Sequence, residues 1–198
     1  MIFRAHTALS VAYFPDTSVI SLLTHLKGGE TPEVGLVGRD GMASISVFPG
    51  VNTMPCDGVV LLAGTAERLN ADVLRHEVHQ GGPLHDLLGR FAHLTLARSV
   101  QMAACNSVHP IKDRCARWLL MTHDLIDGDE FLLTQDVLAM MLGVRRPSVT
   151  FVARVLQRAG FIDYRRGRLR IRDRQGLEAA SCECYQLMRE EQRRLLGF

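Results

Sequence analysis

Aromatic residues are scarce in this 198-residue chain, at 6% with one tryptophan, and its net charge is only +2. Long apolar runs are missing too. No stretch reaches the roughly 18 residues that a membrane-spanning helix needs, and Met1 to Phe14 is interrupted by Arg4 and His6 rather than built as a secretory signal. We therefore expect a cytoplasmic protein with no membrane partner. The five cysteines (Cys56, Cys105, Cys115, Cys182, Cys184) are odd in number and irregularly spaced, which argues against a disulfide framework and fits a reducing compartment. There is no phosphate-binding Gly-Lys-Ser/Thr loop, no nucleophile elbow and no metal triad, so an enzyme is not expected. His76 and His79 flank Glu77 at i and i+3, whereas the zinc-protease motif needs i and i+4. His85, His93, His109 and His123 are scattered. Cys182 and Cys184 fall two apart on one expected helix (Leu177, Ala180, Cys184, Leu187), where they face different ways and make a poor chelate. The expected metal and cofactor content is none.

What charge there is, is unevenly placed. Met1 to His109 holds 7 basic against 9 acidic residues, and Pro110 to Phe198 holds 16 against 12. Within the latter, Arg145 to Arg174 carries ten arginines against Asp163 and Asp173. A local excess of that size suits a polyanion.

Hydrophobic period divides the chain. Short apolar runs at Leu9–Phe14, Val19–Leu23, Val34–Val37, Ile45–Phe48 and Val59–Leu62 alternate with Gly, Pro, Asp and Asn clusters, predicting an all-β first module, an antiparallel barrel or a sandwich, over 1–82. After Gly81, Gly82 and Pro83 the period becomes helical. Leu84, Leu87, Leu88, Phe91 and Leu94 form one stripe of a long helix over 83–108, which serves either core packing or a dimer seam. Pro110 opens the last module, 109–198. Its first helix buries Ile111, Cys115, Trp118 and Leu119 and ends near Asp127–Asp129.

Thr134 is a good N-cap for a short helix that runs to Gly143, where a glycine permits a sharp turn. A second helix opens at Arg145, Arg146 and Pro147 and ends at Gly160. At about 100° per residue, Val149, Val152, Ala153 and Leu156 gather on one side, and Pro147, Thr150, Phe151 and Arg154 on the other. One face packs and the other is free to enter a major groove about 12 Å wide. Beyond it, Ile162 and Tyr164, then Leu169 and Ile171, alternate with polar residues around an Arg165, Arg166, Gly167, Arg168 tip, predicting a hairpin whose arginines reach phosphates. The predicted DNA-contacting set is Thr134, Arg145, Arg146, Ser148, Thr150, Phe151, Arg154, Arg165, Arg166 and Arg168.

These residues resemble the Crp/Fnr family of bacterial transcription regulators. The resemblance rests on Arg114 to Leu120, Leu133 to Gln135, Leu138 and Ala139, Met141 to Val149, Leu156, and Ala159 to Ile162 with Tyr164 and Gly167, in the family's order and spacing. It implies an α+β protein: an amino-terminal jelly-roll β-barrel of the cyclic-nucleotide-binding type, a long dimerisation helix seamed by Leu84, Leu87, Leu88, Phe91 and Leu94, and a winged helix-turn-helix. It also implies a homodimer on an inverted-repeat operator in double-stranded DNA, an unidentified small effector, and RNA polymerase as a candidate further partner.

The chain departs from the family at informative places. Of the arginine, glutamate and arginine with which the catabolite-activator branch reads bases, only the first is matched, by Arg146; Pro147 and Phe151 hold the other positions, so different bases are expected. The Gly-Glu and Arg-Ser/Thr elements that hold a cyclic nucleotide are replaced by Gly38–Gly41 and Pro55–Gly58, which argues against cyclic AMP. No cysteine precedes Cys56, which argues against the iron–sulfur cluster of the oxygen-sensing branch. The barrel is expected to start late, as a truncated or degenerate sensor. The competing reading is a sensor or protein-interaction module whose winged domain no longer binds DNA; Arg146 and the wing arginines speak against it.

Overall fold

The computed structural model describes residues 1–198. Its amino-terminal third is β-rich but does not close into a barrel. Strands β1 (Val11–Pro15), β2 (Val19–Leu23), β3 (Glu33–Val37), β4 (Asp57–Leu62) and β5 (Ala66–Asn70) form two sheets, an antiparallel β1–β5 pair and a three-stranded sheet in the order β3–β2–β4. The expected barrel is thus an open pair of sheets. The run Ile45–Phe48, read as a strand, is instead a 3-10 turn at Ile45–Val47, with Val47 and Phe48 N–H donating to the carbonyls of Ser44 and Ile45. Pro49 and Gly50 follow at once and leave no length for a ladder.

Nor is the first module all β. Asn70 caps helix α1 (Ala71–His79), its side chain accepting from Asp72 N at 2.8 Å, and Ala71, Leu74 and Val78 turn inward. His76 and His79 remain on its exposed side. Helix α2 (Pro83–Val108) begins at Pro83 after two positive-φ glycines, as its proline and glycines predict.

The carboxyl-terminal unit comprises α3 (Ile111–Asp124), β6 (Glu130–Leu132), α4 (Gln135–Leu142), α5 (Arg146–Arg158), β7 (Ile162–Arg165), β8 (Arg168–Ile171), α6 (Arg174–Ala179) and α7 (Cys184–Leu196), with one sheet in the order β6–β8–β7. Helix α7 folds back along α2. The single helix expected after Leu177 is broken, because residues 180–183 leave the helical path between α6 and α7.

Two large cores and a small cluster of Cys105, Cys182 and Cys184 hold the molecule. The larger contains Trp118, Leu119, Leu138, Val149, Val152, Leu156, Leu169 and Tyr185, and it takes in Val19, Leu23, Leu36 and Leu62 from the amino-terminal sheet. The smaller joins Ile20, Val37, Met42, Leu74, Leu88, Phe91 and Leu94. At about 25 cal/mol per Å², each such large side chain contributes roughly 1.5–3 kcal/mol. No helix is long and apolar enough to cross a membrane.

The second core takes in part of the stripe expected as a dimer seam: Leu88, Phe91 and Leu94 are buried against their own chain's sheets and α1. Leu84 and Leu87 are exposed but sit at the amino-terminal end of that same side. Further exposed apolar residues of α2, Leu96, Val100, Ala103 and Ala104, lie about half a turn round the helix from them.

Candidate nucleic-acid interface

The helix-turn-helix is built by local rules. Thr134 Oγ1 accepts from Val137 N at 3.2 Å, satisfying one of the free N–H groups of α4. Gly143 ends that helix in the left-handed conformation, φ 63°, which a side chain would strain. Pro147 sits in the first turn of α5, where its missing N–H costs nothing. Val149, Val152, Ala153 and Leu156 are buried and fix the helix on α3 and α4.

That docking leaves Arg146, Pro147, Ser148, Phe151 and Arg154 exposed, with Thr150 half-buried. Thr150 Oγ1 donates to Gln135 Oε1 at 2.7 Å, locking α5 to the start of α4, so its hydroxyl is spoken for. Phe151 is 68% exposed, an apolar ring presented to solvent between Arg146 and Arg154. Arg158, which the sequence reading missed, projects from the same face one turn beyond Arg154. The rotation that found Arg154 places Arg158 beside it, so the signal was available. Gln135 was missed as well, because its role lies in a tertiary hydrogen bond.

The wing follows directly. The β7–β8 turn has positive φ at Arg166 (49°) and Gly167 (75°), the two-residue geometry that matches strand twist. Tyr164 donates from its hydroxyl to the Leu133 carbonyl at 2.8 Å and ties the hairpin to α4's entrance. Arg165, Arg166, Arg168, Arg170 and Arg172 are exposed. Arg146 pairs with Asp136 at 3.4 Å, Arg165 with Asp163 at 3.2 Å and Arg168 with Glu130 at 3.1 Å. These are open surface pairs, worth about 0–1 kcal/mol, which a phosphate can displace. Thr134 and Arg145 are exposed as well.

A separate cavity of about 230 Å³ lies between β3 and α2, lined mainly by apolar side chains including Leu22, Met54, Phe91, Met102 and Met121. Arg98 is the sole charged residue in its wall. It is already committed to Asp40 at 2.9 Å and to Gln192 Oε1 at 2.6 Å. A cyclic phosphate would find no free cation there, and the lining does not fit a cyclic nucleotide.

The Crp-like helix-turn-helix domain family matches residues 113–180. No curated protein sequence matches the chain. Among solved structures, FixK2 from Bradyrhizobium japonicum is similar at 13% identity and a TM-score of 0.78, over 91% of this chain and 92% of that one. A CRP-family transcriptional regulator from Thermus thermophilus is similar at 17% identity and a TM-score of 0.73, over 91% and 92%. The c-di-GMP responsive global regulator CLP of Xanthomonas campestris shares 16% identity at a TM-score of 0.62, over 86% and 88%. A Crp-like helix-turn-helix domain, set behind an open β-rich unit and a long helix in the order those regulators use, makes the fold of this chain that of the Crp/Fnr transcription regulators.

Proposed function

We propose that the protein binds an inverted-repeat operator as a homodimer, with α5 of each chain entering successive major grooves about 34 Å apart. The observation that carries this reading is the outer face of α5. It holds Arg146, Phe151, Arg154 and Arg158 clear of every internal contact except one weak surface pair, beside a hairpin tipped with arginines. Arg146 and Arg154 would take guanine edges and Phe151 a thymine methyl. Thr134, Arg145, Ser148, Arg165, Arg166 and Arg168 would hold phosphates and set the register. Because Thr150 is tied to Gln135, we assign it to positioning α5.

The dimer contact is placed on the solvent side of α2, through Leu96, Val100, Ala103 and Ala104, in place of the seam read from the sequence. Leu96 and Val100 are 61% and 63% exposed, more than isolated core packing would leave. The three parts, 1–82, 83–108 and 109–198, act as sensor, dimer arm and reader. The apolar cavity between β3 and α2 suits a small, weakly charged effector rather than a nucleotide.

Selection of bound fragments from a genomic library defines the operator, and electrophoretic shifts across a salt series then test the contacts. Arg146→Ala should change the base preference at one position. An unchanged preference, or no salt-sensitive shift for the unaltered protein, refutes the reading.

A further inference from the structure

The break between α6 and α7 has a chemical consequence. Cys105 and His109 lie one turn apart at the end of α2, and Cys182 and Cys184 lie at the break. The sequence places these pairs far apart and on the wrong faces for chelation. The fold reverses that, because Cys182 sits in the link and Cys184 in the first turn of α7, and both turn toward Cys105.

One sulfur or ring nitrogen from each of the four residues lies within 4.8 Å of all the others. Cys105 Sγ is 3.5 Å from Cys182 Sγ, and Cys184 Sγ is 3.6 Å from His109 Nδ1. Zinc–sulfur bonds of about 2.3 Å in a tetrahedron require sulfurs about 3.8 Å apart. The set therefore closes on an ion with side-chain shifts of about an ångström or less.

The surroundings fit as well. His109 turns Nδ1 to the sulfurs while Nε2 lies 3.3 Å from Glu183 Oε1, the carboxylate arrangement that orients a ligating imidazole. Gln101 Nε2 donates to Cys184 Sγ at 3.0 Å, a bond that favours a thiolate. Arg117 is 2% exposed and has no carboxylate within ion-pair distance; its side chain donates only to Met121 Sδ, at 3.1 Å. Its Nε and that of Arg114 are buried without a partner, and both charges act on the Cys105 sulfur. A buried cation needs an opposing charge. Zinc held by three thiolates and an imidazole has one net negative charge and supplies it, whereas a Cys105–Cys182 disulfide is neutral and leaves both arginines uncompensated.

We propose that Cys105, His109, Cys182 and Cys184 bind one zinc ion per chain, in a closed site that clamps the end of α2 to the α6–α7 link. With four protein ligands and no open position the site is structural. It stands immediately before Pro110, so it fixes the carboxyl-terminal unit relative to the long helix. Binding releases the thiol protons and changes no oxidation state.

The test uses the full chain, purified under reductant without a histidine tag. Elemental analysis should find about one zinc per chain. Replacement by cobalt(II) should give the visible bands of a tetrahedral ion together with near-ultraviolet thiolate charge transfer. Cys182→Ser and His109→Asn should abolish these bands, while Cys56→Ser, in the core with Ile20 and Phe91, keeps them. Glu183→Gln should weaken zinc binding roughly tenfold in a chelator competition, as removal of such an outer partner does. Should the ligand variants fail to fold, the cobalt spectrum of the unaltered chain still decides. Absence of tetrahedral bands with all five thiols free overturns the proposal, as does a Cys105–Cys182 disulfide in the purified chain or bands that survive Cys182→Ser.

Discussion

Glu33 is the first residue of β3 and is buried, yet it has no cation within ion-pair distance. Its Oε1 accepts from Trp118 Nε1 at 2.8 Å, across the junction between the amino-terminal sheet and α3. Ser21 Oγ lies 2.8 Å from Oε2 and also 3.3 Å from Met141 Sδ on α4. A hydroxyl has one proton and cannot serve both acceptors. The count closes when Glu33 is protonated and donates to Ser21, which donates to Met141. The pKa agrees: burial raises it to about 8, against the lowering effects of Ser21, Trp118 and the Arg117 charge.

A folded-state pKa above the unfolded value means the neutral carboxyl contributes fully below about pH 4.5, and that contribution is lost as pH rises toward 8. With about 1.4 kcal/mol per pH unit, Glu33 alone should reduce stability by roughly 2–3 kcal/mol between pH 5 and pH 7, and by about 4 kcal/mol at pH 9, where the slope flattens. Glu33→Gln keeps the shape, accepts from Trp118 and donates to Ser21, but cannot ionise. Urea unfolding followed by emission of Trp118, the one tryptophan in the chain, measures both proteins at each pH. Histidines and other carboxylates contribute equally to both curves, so the difference isolates Glu33. Unaltered protein should be about as stable as Glu33→Gln at pH 5 and markedly less stable at pH 8–9. A difference that stays flat over that range refutes the protonated bridge.

Other expectations follow from single contacts. Arg154→Ala should weaken operator binding by roughly 1–3 kcal/mol with the loss concentrated at one or two base positions, read by competition among operator variants. Arg165→Ala should weaken all sequences alike and lower the salt dependence of binding by about one unit of slope. In Gly41→Ala the new Cβ would lie 2.0 Å from Cζ of buried Phe91, so the variant should lose roughly 1–3 kcal/mol or more in chemical denaturation. Val100→Glu replaces a side chain that is 63% exposed; it should shift the sedimentation coefficient to that of a single chain while leaving its urea midpoint almost unchanged.

Legibility in the sequence followed the range of the interactions. Thr134, Gly143 and Pro147 announce the helix-turn-helix because capping and turn geometry act within a few residues, and α5's two faces are legible because one face alone contacts its own domain. Strand β5 was invisible since Ala66–Asn70 is exposed throughout and offers no apolar alternation. Helix α1 was hidden by its polar composition, three inward residues in nine. On α2 the apolar stripe was real, but a stripe states only that something covers it. Leu88, Phe91 and Leu94 are covered by the chain itself, and Leu96 and Val100, on the opposite side of the helix, stay exposed.

The cysteines show the same limit more sharply. Their meaning depends on a helix break at residues 180–183, and nothing in Leu177, Ala180, Cys184 and Leu187 interrupts a helical period. The chain leaves the helical path at 180–183, and α7 then packs along α2. That arrangement carries Cys182 and Cys184 across more than seventy residues of sequence to Cys105 and His109. Spacing rules for metal sites assume ligand pairs on one local element, and each pair here is local: Cys105 with His109 on a helix end, Cys182 with Cys184 in a turn. Either pair alone is ordinary packing. Only the docking of α7 on α2 joins them, and the fold also leaves Arg117 and the Nε of Arg114 buried without a partner, so the need for negative charge, like the donor set itself, becomes visible only in three dimensions.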